Sequence, residues 1–312
     1  MEYAQLGEQT ISRIGFGCAP MGGFDYGAVD DDVSIDAVHA ALDAGVNFFD
    51  VADIYGFGHA EEVLGRALQS RRNDAVIATK FGLVQRDGSV VRDASAAHVA
   101  EAVDRSLRRL GIDCIDLYQL HWPDPQTSLE VTAAALESCR KAGKIRMIGC
   151  CNMTAADVAA FHAIAPVASV QVAYNLLCRA AEADLFDWCR ANGVKLLAHS
   201  TLARGFLAGR ANEFSGTDTR VRSRYFETND AGEALRGEIR RVAEARGVTA
   251  ANVAVRWALQ RGADCALVGV RDRTQLEEHA GVGGWSLTSA ELRALDDASA
   301  ACPGAMTGEL AL

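Results

Sequence analysis

Val46-Asn47-Phe48-Phe49-Asp50-Val51-Ala52-Asp53-Ile54-Tyr55-Gly56 joins a short apolar run to an aspartate and, five residues later, a tyrosine. The figure recurs downstream. Ala75-Val76-Ile77-Ala78-Thr79 ends on Lys80, and Ile115-Asp116-Leu117-Tyr118-Gln119-Leu120 ends on His121. Buried strands that each finish on a chemically active side chain suggest a parallel barrel delivering residues to one end. The pattern predicts that Asp50, Tyr55, Lys80 and His121 meet there.

Eight such runs begin near Arg13, Val46, Ala75, Cys114, Ile145, Ser169, Val194 and Cys265. Most are continuous rather than alternating, as expected when both faces of a parallel sheet are covered. Helical patterns lie between them. Val33, Ile35, Val38 and Leu42 follow Asp30-Asp31-Asp32, whose carboxylates suit a helix start, and Gly45 closes the segment. Ser95 opens another, with Val99, Val103, Leu107 and Leu110 on its buried face and Gly111 at its end. Glu101 with Arg105, and Asp104 with Arg108, are spaced to pair on its surface. A third covers Leu129 to Ala142 and stops at Gly143.

Strand and helix alternating eight times predict an α/β fold, a (β/α)₈ (TIM) barrel forming one domain over residues 1–312. A doubly wound sheet is the rival. Residues 1–12 read as a hairpin that could plug the barrel bottom. Thr288-Ser289-Ala290-Glu291 is a capping box before a C-terminal helix. A long polar stretch from Thr201 to about Asp230 carries Arg204, Arg210, Arg220, Arg222 and Arg224, and loops of that length are usually functional or disordered.

Hydrophobic residues make up 49% of the chain, enough for a large core. A net charge of -10 argues against nucleic acid or an anionic membrane as the main partner. No run of about 18 apolar residues predicts a membrane span, and Met1-Glu2-Tyr3-Ala4-Gln5 does not resemble a secretory signal. The nine cysteines include no C-x-x-C pair, and most sit in apolar runs. They read as small buried hydrophobes in a reducing cytoplasm.

Seven stretches, in order, resemble the aldo-keto reductase superfamily over essentially the whole chain. They are Asp50 to Gly56, Ala78-Thr79-Lys80, Asp116 to Pro123, Gly143 to Asn152, Gln171-Val172-Ala173-Tyr174-Asn175, Arg204 to Arg210, and Gly269-Val270-Arg271. Within the superfamily the chain looks most like the bacterial branch of general stress aldo-keto reductases. The resemblance implies hydride transfer between a nicotinamide cofactor and a carbonyl or alcohol. Tyr55 would be the proton donor, its pKa lowered from about 10 by the Lys80 ammonium. Asp50 would orient the lysine, and a neutral His121 would hydrogen-bond the substrate oxygen. In the oxidative direction a Tyr55 phenolate would take the alcohol proton.

The resemblance also implies a cofactor cradle. Cys18, Ala19 and Asp50 would lie near the nicotinamide ribose, with Cys151 preceding Asn152, and Asn152 and Gln171 on the carboxamide. His199, Ser200, Thr201, Leu202, Ala203, Arg204, Arg210 and Arg220 would embrace the pyrophosphate and adenosine. Gly269, Val270, Arg271, Gln275 and His279 would surround the adenine end. Arg271 suits a 2′-phosphate, since a guanidinium offers a bidentate fork, so NADPH (NADP+) is expected, with NADH possible. Three positions depart from the family's usual pattern: Cys151 where a serine is common, His199 where an aromatic ring stacks on the nicotinamide, and His279 where an asparagine reads adenine. Gly15-Phe16-Gly17 is not followed by the rest of a G-x-G-x-x-G, which disfavours a Rossmann site.

The substrate pocket would draw on Phe24-Asp25-Tyr26, Phe81 to Asp87, Trp122 and Arg222-Ser223-Arg224-Tyr225. The expected substrate is a small carbonyl or alcohol, and a monomer is the default state. One alternative is a nicotinamide-binding regulatory module of low turnover, like the potassium-channel β-subunits. A metal hydrolase lacks support, because none of the seven histidines forms H-x-H on a strand.

Overall fold

The structure is a computed structural model and describes residues 1–23, 26–209, 218, 223–226 and 230–302. It opens with an antiparallel hairpin, β1 (Tyr3–Leu6) and β2 (Gln9–Ser12). The repeat then begins: β3 (Ile14–Gly17), α1 (Asp31–Asp43), β4 (Phe48–Asp50), α2 (His59–Leu68) and β5 (Val76–Phe81). A second hairpin, β6 (Leu83–Arg86) and β7 (Ser89–Arg92), interrupts it before α3 (Ala96–Leu110). The chain continues through β8 (Ile115–Leu120), α4 (Leu129–Lys141), β9 (Ile145–Cys151), α5 (Ala155–His162), β10 (Val167–Ala173), α6 (Leu185–Asn192) and β11 (Lys195–His199). After α7 (Asp230–Arg246) and α8 (Ala250–Arg261) come β12 (Cys265–Gly269), α9 (Arg273–Ala280) and α10 (Ser289–Ala300).

β3, β4, β5, β8, β9, β10, β11 and β12 close into one parallel barrel. All eight expected runs are its strands, and the doubly wound alternative is excluded by closure.

The strands are buried on both faces because two cores sandwich them. One fills the space between the sheet and the helices. The other fills the cylinder: Phe48, Val76, Ala78, Leu117, Leu197, Cys265 and Leu267, closed from below by Leu6 and Ile11 of the N-terminal hairpin. The hairpin is therefore the plug its position suggested. Gly15 belongs to this packing, since a Cβ there would fall 2.5 Å from a Leu267 methyl.

Helix ends follow the sequence signals. The Asp30 carboxylate accepts from Asp32 N at the start of α1, and the Ser95 hydroxyl accepts from His98 N at the start of α3. Gly111 ends α3 at φ 66°, and the capping box of Thr288 and Glu291 forms in both directions. One expected surface pair is corrected: Asp104 bonds Lys144 at 2.6 Å rather than Arg108, because Lys144 reaches it from the turn before β9. Glu101 and Arg105 do pair, at 3.5 Å.

The layout places the site by alternation. Inward positions along each strand are apolar at the bottom and polar at the top. The upper inward residues include Asp50 (β4), Lys80 (β5), Gln119 (β8), Cys151 (β9), Gln171 (β10, with Ala173 above it) and His199 (β11). On β3 and β12 they are Gly17 and Gly269, partners in register with no side chains.

Candidate active site

Lys80 is 1% exposed, so its ammonium must find all its partners inside the protein. It does so with three bonds, to Asp50 Oδ1 at 2.5 Å, Val51 O at 3.2 Å and the Tyr55 hydroxyl at 3.4 Å. The other Asp50 oxygen accepts from Gln119 Nε2 at 3.1 Å and Gln171 Nε2 at 2.8 Å. Burial alone would push the lysine down, but Asp50 outweighs it and holds the ammonium above its ordinary value.

Tyr55 begins a short turn, Tyr55–Gly58, between β4 and α2, in which Gly56 and Phe57 have φ of 59° and 56°. Its ring meets that of His121 edge-on, with centroids 5.9 Å apart. The four residues expected to meet at the barrel mouth thus do so. The expected direction of the tyrosine shift is corrected: burial pushes the phenol up to about 12. Lys80 pulls it down as anticipated, but Asp50 cancels much of that charge. His121 is held neutral, well below its ordinary value, by burial and then by Lys80 and His199. Its Nδ1 is buried without a hydrogen-bond partner among the described residues. The tautomer protonated on Nε2 strands only a lone pair there, which is the cheaper choice.

Asn152 and His199 form a second cluster. His199 Nε2 lies 3.0 Å from Asn152 Oδ1 and its Nδ1 3.0 Å from Ser200 Oγ, while Asn152 Nδ2 donates to His121 O at 3.0 Å. Burial, then Lys80 and Arg204, hold His199 down at about 3. A neutral ring donates from one nitrogen and accepts at the other, which fits both neighbours. Asn152, Ser200, Ala203 and Arg204 all have φ near 50° without being glycine. Such strained backbone gathers where function over-determines a conformation.

The remaining expected residues divide by burial. Cys18 and Cys151 are fully buried. The Cys18 thiol faces Phe16 O, and that of Cys151 lies 3.9 Å from Gln119 Oε1. Thr201 and Ala203 point into the fold, and the Thr201 hydroxyl donates to Leu267 O at 2.9 Å. Ala19 and Leu202 are half-buried at the mouth. Val270 and His279 are buried, so His279 packs within the fold rather than standing on its surface. Gln275 Oε1 accepts from Arg271 N at 3.1 Å, and the Arg271 guanidinium donates to Tyr26 O at 2.8 Å. Arg204 and Arg271 have no carboxylate partner among the described residues. Arg210 and Arg220 lie outside the described residues, as do Phe24, Asp25 and Arg222 of the expected substrate pocket. Trp122 is 5% exposed and covered by the Arg92 guanidinium, and Tyr225 is buried with its hydroxyl 3.2 Å from Asn175 Nδ2.

Gln119 received no role from the sequence, yet it links Asp50 to Cys151. Its signal was its place, the register partner of Lys80 on the neighbouring strand, two residues beyond the core residue Leu117.

The mouth therefore has a polar side carrying Tyr55, Lys80 and His121, and a glycine side over β3 and β12. That glycine sector continues into Ala19, Arg204 and Arg271, which leaves two guanidiniums at its edge for a polyanion. The residues fit a phosphorylated cofactor laid across it. A family model for aldo/keto reductases matches residues 13–300. The chain belongs to the aldo/keto reductase family. It is 38% identical over 300 residues to the aldo-keto reductase YhdN of Bacillus subtilis, covering 93% of this chain and 91% of that one. Among solved structures it is similar to the glycerol dehydrogenase AKR11B4 of Gluconobacter oxydans, at TM-score 0.87 and 37% identity over 96% of this chain and 95% of that one. It is also similar to an aldo/keto reductase of Klebsiella pneumoniae solved with NADP and acetate, at TM-score 0.77 and 29% identity over 95% and 94%. Both branch and barrel agree with the resemblance read from the sequence. Among the described residues no group of His, Cys, Asp and Glu could hold a metal, and no helix is long and apolar enough to cross a membrane.

The neutral histidines make stability pH-dependent. Between the ordinary histidine value of 6.5 and about 3, the unfolded chain binds a proton at His199 that the folded site refuses. Stability should therefore fall as pH drops through that window. In urea titrations at stepped pH, His199→Gln should show a shallower fall than wild type, by about one proton; equal slopes would mean that His199 is already charged in the fold.

Proposed function

We propose that this aldo/keto reductase is a monomeric NADP(H)-dependent oxidoreductase interconverting small carbonyl compounds and alcohols, with Tyr55 as general acid and base. The supporting observation is the Tyr55 hydroxyl 3.4 Å from a fully buried Lys80 that is itself paired to Asp50. The chemistry supplied by bound NADPH is a hydride to the carbonyl carbon.

Lys80 donates to the phenol oxygen, so the Tyr55 proton is free to point at a substrate oxygen. A phenol near 12 is held protonated at neutral pH and gives up its proton only as charge builds on that oxygen. The nearby ammonium then stabilises the phenolate formed. His121, with its proton on Nε2, would donate a second hydrogen bond and fix the approach of the carbonyl. In oxidation Lys80 favours the phenolate that accepts the alcohol proton.

Asn152, Gln171 and His199 are the polar groups that would hold the nicotinamide end, and Arg204 and Arg271 the phosphates. Asn152 and Gln171 already spend hydrogen bonds on His121, His199 and Asp50. Fixing their amides beforehand would lower the ordering cost of cofactor binding. NADP in the Klebsiella relative supports the phosphate reading, and the glycerol dehydrogenase relative adds small polyols to the aldehydes, ketones and sugars worth testing.

Tyr55→Phe should cut carbonyl-dependent NADPH oxidation by ~10²–10⁴-fold, read spectrophotometrically over a substrate panel, while NADPH still binds. Unchanged turnover in the variant would refute the acid role. NADPH binding with no turnover by wild type on any substrate would favour the regulatory module instead. Arg271→Ala should raise the KM for NADPH roughly 10- to 100-fold and leave that for NADH almost unchanged. A parallel rise for both cofactors would show that Arg271 does not read the 2′-phosphate.

A further inference from the structure

Behind the Tyr55 turn lies a charged cluster with no part in the reaction as described. Glu61, on α2, is fully buried. Its Oε1 accepts from Thr79 Oγ1 at 2.7 Å and its Oε2 from Arg109 Nη1 at 3.1 Å. Thr79 is the residue before Lys80 on β5, and Arg109 comes from the last turn of α3. The cluster therefore ties two helices to the strand that carries the catalytic lysine.

The turn itself needs support. Gly56, Phe57 and Gly58 have φ of 59°, 56° and 104°, a run that no regular hydrogen-bond ladder can hold. It is gripped from two sides. On one side Gly56 lies against the backbone of Gly22: a Cβ at Gly56 would fall 2.5 Å from Gly22 O, and a Cβ at Gly22 would fall 2.6 Å from Gly56 N. On the other, Gly58 lies flat against Arg109, where a Cβ would fall 2.3 Å from the guanidinium carbon. Asp53, two residues before Tyr55, is buried beside the same cluster. Its Oδ1 has no hydrogen-bond partner among the described residues, and burial, then Glu61, push its carboxyl well above the ordinary range against the pull of Arg109 and Arg105.

We propose that Arg109 is a positioning residue for the reaction: anchored by Glu61 to Thr79, its planar guanidinium is the floor under Gly58 that sets the reach of the Tyr55 hydroxyl to Lys80. This rests on Tyr55 being the proton donor. A lysine would supply the charge without the flat surface. Removing Arg109 should leave the cofactor site intact and misplace the acid.

The test uses the full-length protein with NADPH and the best-reduced carbonyl of the panel above, 4-nitrobenzaldehyde included. Arg109→Leu combined with Glu61→Gln removes the ion pair without stranding a buried charge. Gly22→Ala pushes the same turn from its opposite side. Arg109→Ala leaves a hole, open to solvent at one edge, for added guanidinium ion. Tyr55→Phe is run alongside, and circular dichroism checks folding. The double variant and Gly22→Ala should each lose about 10²-fold in kcat, with KM and NADPH affinity almost unchanged. Arg109→Ala should regain turnover with millimolar guanidinium. Wild-type kcat in the folded variants would overturn the proposal, as would a loss of NADPH affinity equal to the loss of kcat. If Tyr55→Phe is inactive while the Arg109 and Gly22 variants are not, the positioning role alone fails. If Tyr55→Phe keeps full turnover, the acid role fails and takes this inference with it.

Discussion

A buried ammonium held against a buried carboxylate governs this site. Moving both ions out of water costs several kcal/mol each, and their attraction returns that only when every remaining hydrogen-bonding position is filled. Here the filling is complete on the lysine: Asp50, Val51 and Tyr55 take its three protons. Asp50 in turn needs Gln119, from the strand beside that of Lys80, and Gln171, from the opposite side of the barrel. Satisfying one ion pair therefore enlists five elements, and only a closed cylinder brings them to one level.

That arrangement also explains the state of Tyr55. A lone ammonium beside a phenol would make it acidic, but an ammonium already paired to a carboxylate presents little net charge. Burial then dominates, and the phenol rests protonated while its proton points away from the lysine. The proton donation proposed for Tyr55 in the reductive direction needs that state. The same desolvation keeps His121 and His199 neutral, so the mouth holds one ion pair and no other fixed charge on its reacting side.

Much of this was legible in the sequence. The eight apolar runs, the plug formed by Leu6 and Ile11, and the capping box at Thr288 each follow from local pattern, and local pattern survives folding. The hairpin of β6 and β7 was missed, the expectation for Phe81 to Asp87 being a pocket loop, although Asp87-Gly88 is a two-residue turn signal and takes the φ values of 50° and 78° that such a turn requires. What could not be read depends on burial and on long-range partners. The sign of the Tyr55 shift turns on how deeply the phenol is buried and, after that, on how far Asp50 offsets Lys80. Asp104 prefers Lys144, forty positions away, to Arg108 on its own helix. Glu61 and Arg109 look like ordinary helix charges until α2 and α3 pack together over Thr79. The family resemblance carried the roles of the tetrad, whereas Gln119 needed the strand register.

Burial, with Asp50 offsetting Lys80, is what keeps Tyr55 a neutral phenol. Ultraviolet difference titration of wild type against Tyr55→Phe, without cofactor, reads this directly. Tyr55 should contribute almost no phenolate signal until the pH nears about 12. A Tyr55 phenolate appearing at or below the ordinary tyrosine value of about 10 would show that the lysine charge is not offset, and would contradict the account.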